Sequence, residues 1–155
     1  MRRKDREIKD FSKMTEVVEM CKCCRLGIND EKAPYILPLN FGYEINGNKL
    51  VLYFHSASEG KKIDLLKKNN SVSFEIDFQG ELFSGENACG YSNFYKSVMG
   101  VGKAFLLDKK EDNIYALNKI MQHYTSKGNW NFDESILDKT VALKLEVSEW
   151  SCKEY

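Results

Sequence analysis

The chain has 155 residues, 43% hydrophobic and 30% charged, and its 23 basic and 23 acidic side chains leave no formal net charge. That length suits one domain with a proper core, and the balance argues against a protein that tracks a polyanion through basic excess. No apolar run approaches the ~18 residues of a membrane span.

The charged start, Met1-Arg2-Arg3-Lys4-Asp5, has no apolar segment behind it, so no signal peptide is expected and the chain is expected in the cytoplasm. Met14, Val17, Val18 and Cys21 fall at helical spacing, with Ser12 as a reasonable N-cap. Cys24 to Ile28 reads as a first strand, and Asn29 to Lys32 as a turn.

Five cysteines are present: Cys21, Cys23, Cys24, Cys89 and Cys152. An odd number in a chain without a leader favours free thiols over a disulfide framework. The Cys21-Lys22-Cys23-Cys24 spacing is one that begins zinc or iron–sulfur sites. Cys89, Cys152, His55 and His123 supply no second pair at ligand spacing, so no metal is expected and Cys21 reads as part of a helix's apolar face.

From Tyr35 the period changes to two, with Tyr35, Leu37, Leu39, Phe41 and Tyr43 on one face. Asn46-Gly47 is a two-residue hairpin signal and Leu50–His55 returns, so Tyr35–His55 is expected as one β-hairpin. Pro38 sits inside that strand without a ladder donor, which suits an edge or a bulge. Such a position either frees neighbouring backbone for a ligand or protects the edge from aggregation.

Tyr53-Phe54-His55-Ser56-Ala57, followed by Gly60-Lys61-Lys62, reads as a strand turning into a helix N-terminus. Unpaired N–H groups, a positive dipole end, a hydroxyl and two cations suit a phosphate group there. The same residues also suit a capped, solvated helix face.

The helix is expected over Ser58 to Lys68, burying Ile63, Leu65 and Leu66. Ser71–Phe78 alternates as a strand through Val72, Phe74 and Ile76, and Gln79–Asn93, polar with three glycines, reads as a loop or weakly paired ribbon. Tyr95–Leu107 is expected as a long strand, bent or bulged at Gly100 and Gly102. Its hydroxyls, small residues and apolar pair suit a flat ring with a polar rim as well as they suit a bent barrel strand. Ile114, Leu117, Met121 and Tyr124 mark a helix from about Asp108 to Tyr124, Lys127–Asp138 reads as irregular, and Thr140–Glu149 closes as a strand through Val141, Leu143, Leu145 and Val147. Six strands with antiparallel hairpins and three helices predict a mainly β, α+β protein: a small antiparallel barrel with helices packed outside.

Taken together, Arg2-Arg3, Pro34-Tyr35-Ile36-Leu37-Pro38-Leu39-Asn40-Phe41, the His55-Ser56-Ala57-x-x-Gly60-Lys61-Lys62 corner and Ser97-Val98-Met99-Gly100-x-Gly102 resemble the pyridoxamine 5′-phosphate oxidase-like flavoproteins, in the branch of the nitroimidazole-resistance proteins. The resemblance runs in order over nearly the whole chain. It implies a split β-barrel over residues 1–155, a homodimer and FMN at the subunit interface. It implies that Leu37, Pro38, Leu39 and Asn40 line the flavin ring, largely through backbone atoms. His55, Ser56, Lys61 and Lys62 then hold the phosphate, and Tyr95, Ser97 and Val98 reach the flavin from the same or the second subunit.

No set of arginines and histidines for a pyridoxal phosphate substrate stands beside these motifs, which argues against pyridoxamine phosphate oxidation itself. No nicotinamide fingerprint is present. The expected function is an FMN-dependent oxidoreductase reducing a small molecule such as a nitro-aromatic, with His55 either delivering a proton or gripping phosphate. The alternative is a non-enzymatic flavin- or haem-binding module of the same fold.

Overall fold

The computed structural model describes residues 3–155, so Arg2 of the basic N-terminal run lies outside the described residues. Eight strands occur among them: β1 (Glu7–Ile8), β2 (Cys24–Ile28), β3 (Tyr35–Leu39), β4 (Gly42–Asn46), β5 (Lys49–Ala57), β6 (Ser71–Phe83), β7 (Ser92–Leu107) and β8 (Thr140–Glu154). The α-helices are α1 (Phe11–Met20), α2 (Lys61–Lys68), α3 (Lys110–Thr125) and the short α4 (Glu134–Leu137).

Every strand pairing is antiparallel, in the order β3-β2-β6-β7-β8-β5-β4 with β1 added on β8. β8 is the spine of the sheet. One of its edges carries β7 along most of its length, while the other pairs first with β5, over Thr140–Glu146, and then with β1, at Cys152 and Lys153. Between those partners the β7–β8 register shifts at Val101/Gly102, the bulge that the two glycines announce. The sheet divides there, which makes the barrel a split one.

The buried core draws on nearly every strand: Leu26 and Ile28, Leu50, Leu52 and Phe54, Phe74 and Ile76, Leu143 and Leu145, with Phe41 from the β3–β4 link. Each such side chain contributes ~1.5–3 kcal/mol on burial. α1 adds Met14, Val17 and Val18, and α2 adds Leu65 and Leu66. A second cluster joins Val51, Tyr53 and Ala142 to Ala116 and Ile120 of α3.

Several sequence expectations need correction. The Tyr35–His55 run is not one hairpin: β3 pairs with β2, the chain breaks at Asn40-Phe41, and only β4–β5 form the hairpin. Phe41, wholly buried, continues the alternation but turns the chain into the core, so period two alone did not show the break. The hairpin loop is Gly47-Asn48, between the paired Asn46 and Lys49, with Gly47 at φ 63°. Asp10, not Ser12, caps α1, accepting from the Lys13 N–H at 3.1 Å.

α2 begins at Lys61 rather than Ser58, and β6 and β7 extend into the expected loop as a paired ribbon with a register shift between Gln79 and Leu82. β8 runs five residues past Glu149, carrying Cys152 into the core. α3 forms where those residues mark it and Leu117 packs against the second cluster, but the fully buried line is Ala116, Ile120 and His123, with Ile114 and Met121 half-buried and Tyr124 exposed. The reason is the partner surface: at Gly42 a Cβ would stand 2.4 Å from the backbone of Ile120 and Lys119. The helix backbone lies directly on that glycine, and the face it presents there carries small Ala116 and polar His123, which a hydropathy pattern passes over.

Candidate functional site

The strand-to-helix corner is built as the motif suggests. β5 is buried from Leu50 through Phe54 and emerges at His55, opposite Ala142 of β8. Gly60 follows at φ 116°, a conformation side chains rarely adopt, and serves as the N-cap of α2. It brings no side chain, so nothing caps the helix, and a Cβ there would meet only open space. The Ile63 and Asp64 N–H groups donate to the Gly60 carbonyl, so those of Lys61 and Lys62 are left at the dipole's positive end.

The two lysines differ. Lys61 pairs with Asp30 at 2.7 Å and lies 4.7 Å from the centre of the Tyr35 ring, so it ties α2 to the β2–β3 turn. Lys62 has no carboxylate within ion-pair distance among the described residues, and partial burial lowers its pKa. His55 is also held below its ordinary value, by burial first and by the Lys62 charge second. Asp64 shares that first turn, yet an unpaired Lys62 beside an uncapped helix N-terminus is an electrostatic setting that suits an anion.

The second set of residues lies on the outward face of the sheet. Cross-strand partners arrange that face in rows: Ile36, Gly27, Ser73, Val101 and Glu149; then Pro38, Arg25, Glu75, Met99 and Ser151; then Asp77, Ser97 and Lys153. β3 is the edge strand, so Pro38 leaves no ladder bond unmade in the sheet interior. A groove of about 630 Å³ crosses the first two rows.

Ser97 is only 9% exposed, and its hydroxyl has no hydrogen-bond partner. Its neighbour Asp77 is engaged by Arg25, which also reaches Glu75 at 2.8 Å. Its other neighbour, Lys153, sits 5.2 Å from the Tyr95 ring centre. A buried hydroxyl left unpaired is unfavourable by about 1–3 kcal/mol, which sets Ser97 apart from the other buried polar side chains among the described residues.

The remaining candidates are placed less directly. Leu37 and Leu39 pack against the core, so backbone is what they offer outward, whereas Pro38 and Asn40 are exposed. Val98 is completely buried between Ile76 and Cys152, which takes its side chain out of reach of a ligand on the outward face. Tyr95 accepts a hydrogen bond from Arg6 at 3.1 Å and stacks with Tyr155 at 6.3 Å.

Asp30 and the Arg25–Glu75–Asp77 fork were missed in the sequence. Strict period two through Cys24-Arg25-Leu26 and Phe74-Glu75-Ile76-Asp77 carried the signal for the fork. Asp30 had none, because its partner is 31 positions away.

The five thiols are free and differ in setting, with Cys89 exposed and Cys23 half-buried. Cys21, Cys24 and Cys152 are buried, and burial pushes the Cys21 and Cys152 thiols up to about 11 and Cys24 higher still. No group of three or more metal-ligating side chains is assembled among the described residues. His123 is engaged at both ring nitrogens, with the carbonyls of Phe41 at 2.8 Å and Glu19 at 3.0 Å. A cleft of about 980 Å³ at the barrel's split contains none of the candidate residues. No described helix is long and apolar enough to cross a membrane.

Comparison with known proteins fits this architecture. A candidate 5-nitroimidazole antibiotic resistance protein from Bacteroides thetaiotaomicron superposes with a TM-score of 0.82 and 31% identity, over 96% of this chain and 86% of that one. A flavocytochrome, Anf3, from Azotobacter vinelandii shares the fold at TM-score 0.81 and 17% identity, over 100% of this chain and 72% of that one. An FAD- and haem-binding protein from Mycobacterium smegmatis does so at 0.81 and 14%, over 96% and 73%. No curated protein matches the sequence significantly. The family model described as pyridoxamine 5′-phosphate oxidase matches residues 13–154, and the chain belongs to that family of split barrels.

Proposed function

We propose that this chain forms a single FMN-binding domain that works as a homodimeric oxidoreductase, reducing a small molecule of the nitro-aromatic kind. The observation that carries the reading is the corner at α2: a helix N-terminus without a side-chain cap, flanked by His55 and by a Lys62 that has no ion-pair partner among the described residues. FMN differs from riboflavin by the phosphate such a corner suits. A bound flavin would supply the hydride or electrons, which no side chain here can do.

The chain's own residues then have separable tasks. Lys62, the α2 N–H groups and the Ser56 hydroxyl bind the phosphate, while Lys61 keeps α2 on the β2–β3 turn. His55, biased towards its neutral form in the free protein, takes up a proton when an anion stands beside it, and so serves binding. The Ser97 hydroxyl donates to a polar rim atom of the ring, with Tyr95 beside it and the exposed Pro38–Asn40 backbone as its edge.

A homodimer is supported by the separation of these groups. None of the three main cavities among the described residues is lined by both the corner and the outward sheet face. That face exposes Ile36 at 65%, Met99 at 54% and Val101 at 45%, an apolar patch suited to a second copy.

The test is a visible spectrum of the purified protein with FMN, then with a reductant, then with a nitroimidazole. Flavin bands that bleach and return with the acceptor support the oxidoreductase. Flavin that binds but does not turn over makes the chain a binding module, and a Soret band makes it a haem protein. Absence of flavin binding overturns the reading. A single chain mass by light scattering overturns the dimer.

A further inference from the structure

We propose that the split in the barrel is a second binding site, for a small carboxylate with an apolar body. The cleft of about 980 Å³ opens where β8 leaves β5, and its size is that of a small-molecule site. Its base is apolar: Ile28 and Leu50 are 1% exposed and Val72 is 5% exposed, with Trp150 in the wall.

Its rim is cationic. Lys49 from β5, Lys103 from β7 and Lys144 from β8 line it together, and Glu146 is the only acid among the lining residues. Glu146 is already engaged by Lys144 at 2.8 Å, which leaves Lys49 and Lys103 without an ion-pair partner among the described residues. In a chain with no net charge, three lysines against one glutamate around an apolar base is a local choice of sign.

Ammonium groups on flexible stems above an aliphatic base match an amphipathic acid. A phosphate would call for convergent N–H groups such as those of α2. No residue assigned to the flavin lines this cleft, so the inference does not rest on the flavin assignment, although the cleft meets the outward groove at Gly27, Ser73 and Val101 and so borders the proposed subunit face.

The experiment uses the full chain carrying Trp130→Phe, which leaves Trp150 as the only tryptophan and therefore as the reporter. Octanoate and its uncharged analogue octanol are titrated against its fluorescence, and calorimetry repeats the octanoate titration with FMN present. The expected result is saturable octanoate binding, about tenfold tighter than octanol, an advantage that Lys49→Met with Lys103→Met removes while octanol still binds. Octanol binding by the double variant also shows that it is folded. No saturable change, equal affinities for acid and alcohol in the parent, or displacement of octanoate by FMN each overturn the proposal, the last by assigning the cleft to the flavin.

Discussion

The side of the molecule under α3 and the side around α2 contain similar polar residues, yet treat them in opposite ways. Under α3 every polar group has its partner. Glu44 accepts from Tyr53 at 3.0 Å and Tyr115 at 2.6 Å, with Lys119 at 3.5 Å. Burial works against its charge, but those two hydroxyls and the lysine hold its pKa below the ordinary value. Asn113 donates to the Leu107 carbonyl and accepts from Ala142 N–H, and His123 bridges two carbonyls.

Around α2 and the outward face, by contrast, a buried hydroxyl, a lysine, a histidine and a helix N-terminus lack partners. A satisfied buried polar group is architecture; an unsatisfied one points to something that binds. Near-identical residue types therefore separate into structural and functional sets by their partners alone.

The comparison breaks most visibly at Gly42. A side chain there must enter the α3 backbone, so Gly42→Val is expected to destabilise by about 3 kcal/mol or more in urea unfolding. A loss under 1 kcal/mol would mean that α3 is not seated on β4. Next, His123→Phe keeps the ring's shape but leaves the Phe41 carbonyl without its partner, while Lys22 still reaches the Glu19 carbonyl at 3.2 Å, with an expected loss of about 1–3 kcal/mol and unchanged FMN affinity.

Lys62→Ala reverses that pattern. FMN binding should weaken by about 1.5–3 kcal/mol while riboflavin binding hardly changes, and Lys61→Ala should do less because Asp30 already holds that charge. Equal losses for FMN and riboflavin would remove the phosphate assignment. Ser97→Ala carries the sharpest sign: without ligand it should be neutral or stabilising by up to about 1 kcal/mol, since it deletes an unpaired buried hydroxyl. Flavin affinity should fall all the same, and a marked loss of stability without ligand would show the hydroxyl to be structural.

The smallest effect concerns pH. His55 titrates below its unfolded value near ~6.5, so its contribution is complete above that pH and is lost as pH falls through the lowered native value. Thermal melts should show that acid-side decline, and inorganic phosphate or FMN should reduce it. In His55→Gln both the decline and its relief should be weaker.

Much of this protein was legible before any fold was known. Period-two alternation located β3, the first half of β6 and most of β8, because a strand with one buried face must alternate whatever lies opposite, while β5, buried from Leu50 through Phe54, was found from the turn signal before it. Ile63, Leu65 and Leu66 announced the buried face of α2, and Gly60-Lys61-Lys62 announced a helix N-terminus with charge beside it, since that needs only local sequence. Other features had no local signature. The break at Asn40-Phe41, the inward turn of Val98, the α3 face chosen by Gly42 and the capture of Lys61 by Asp30 all depend on which distant strand or helix arrives alongside. Tertiary packing decided these, because burial and pairing belong to two surfaces at once and a single stretch of sequence contains only one of them.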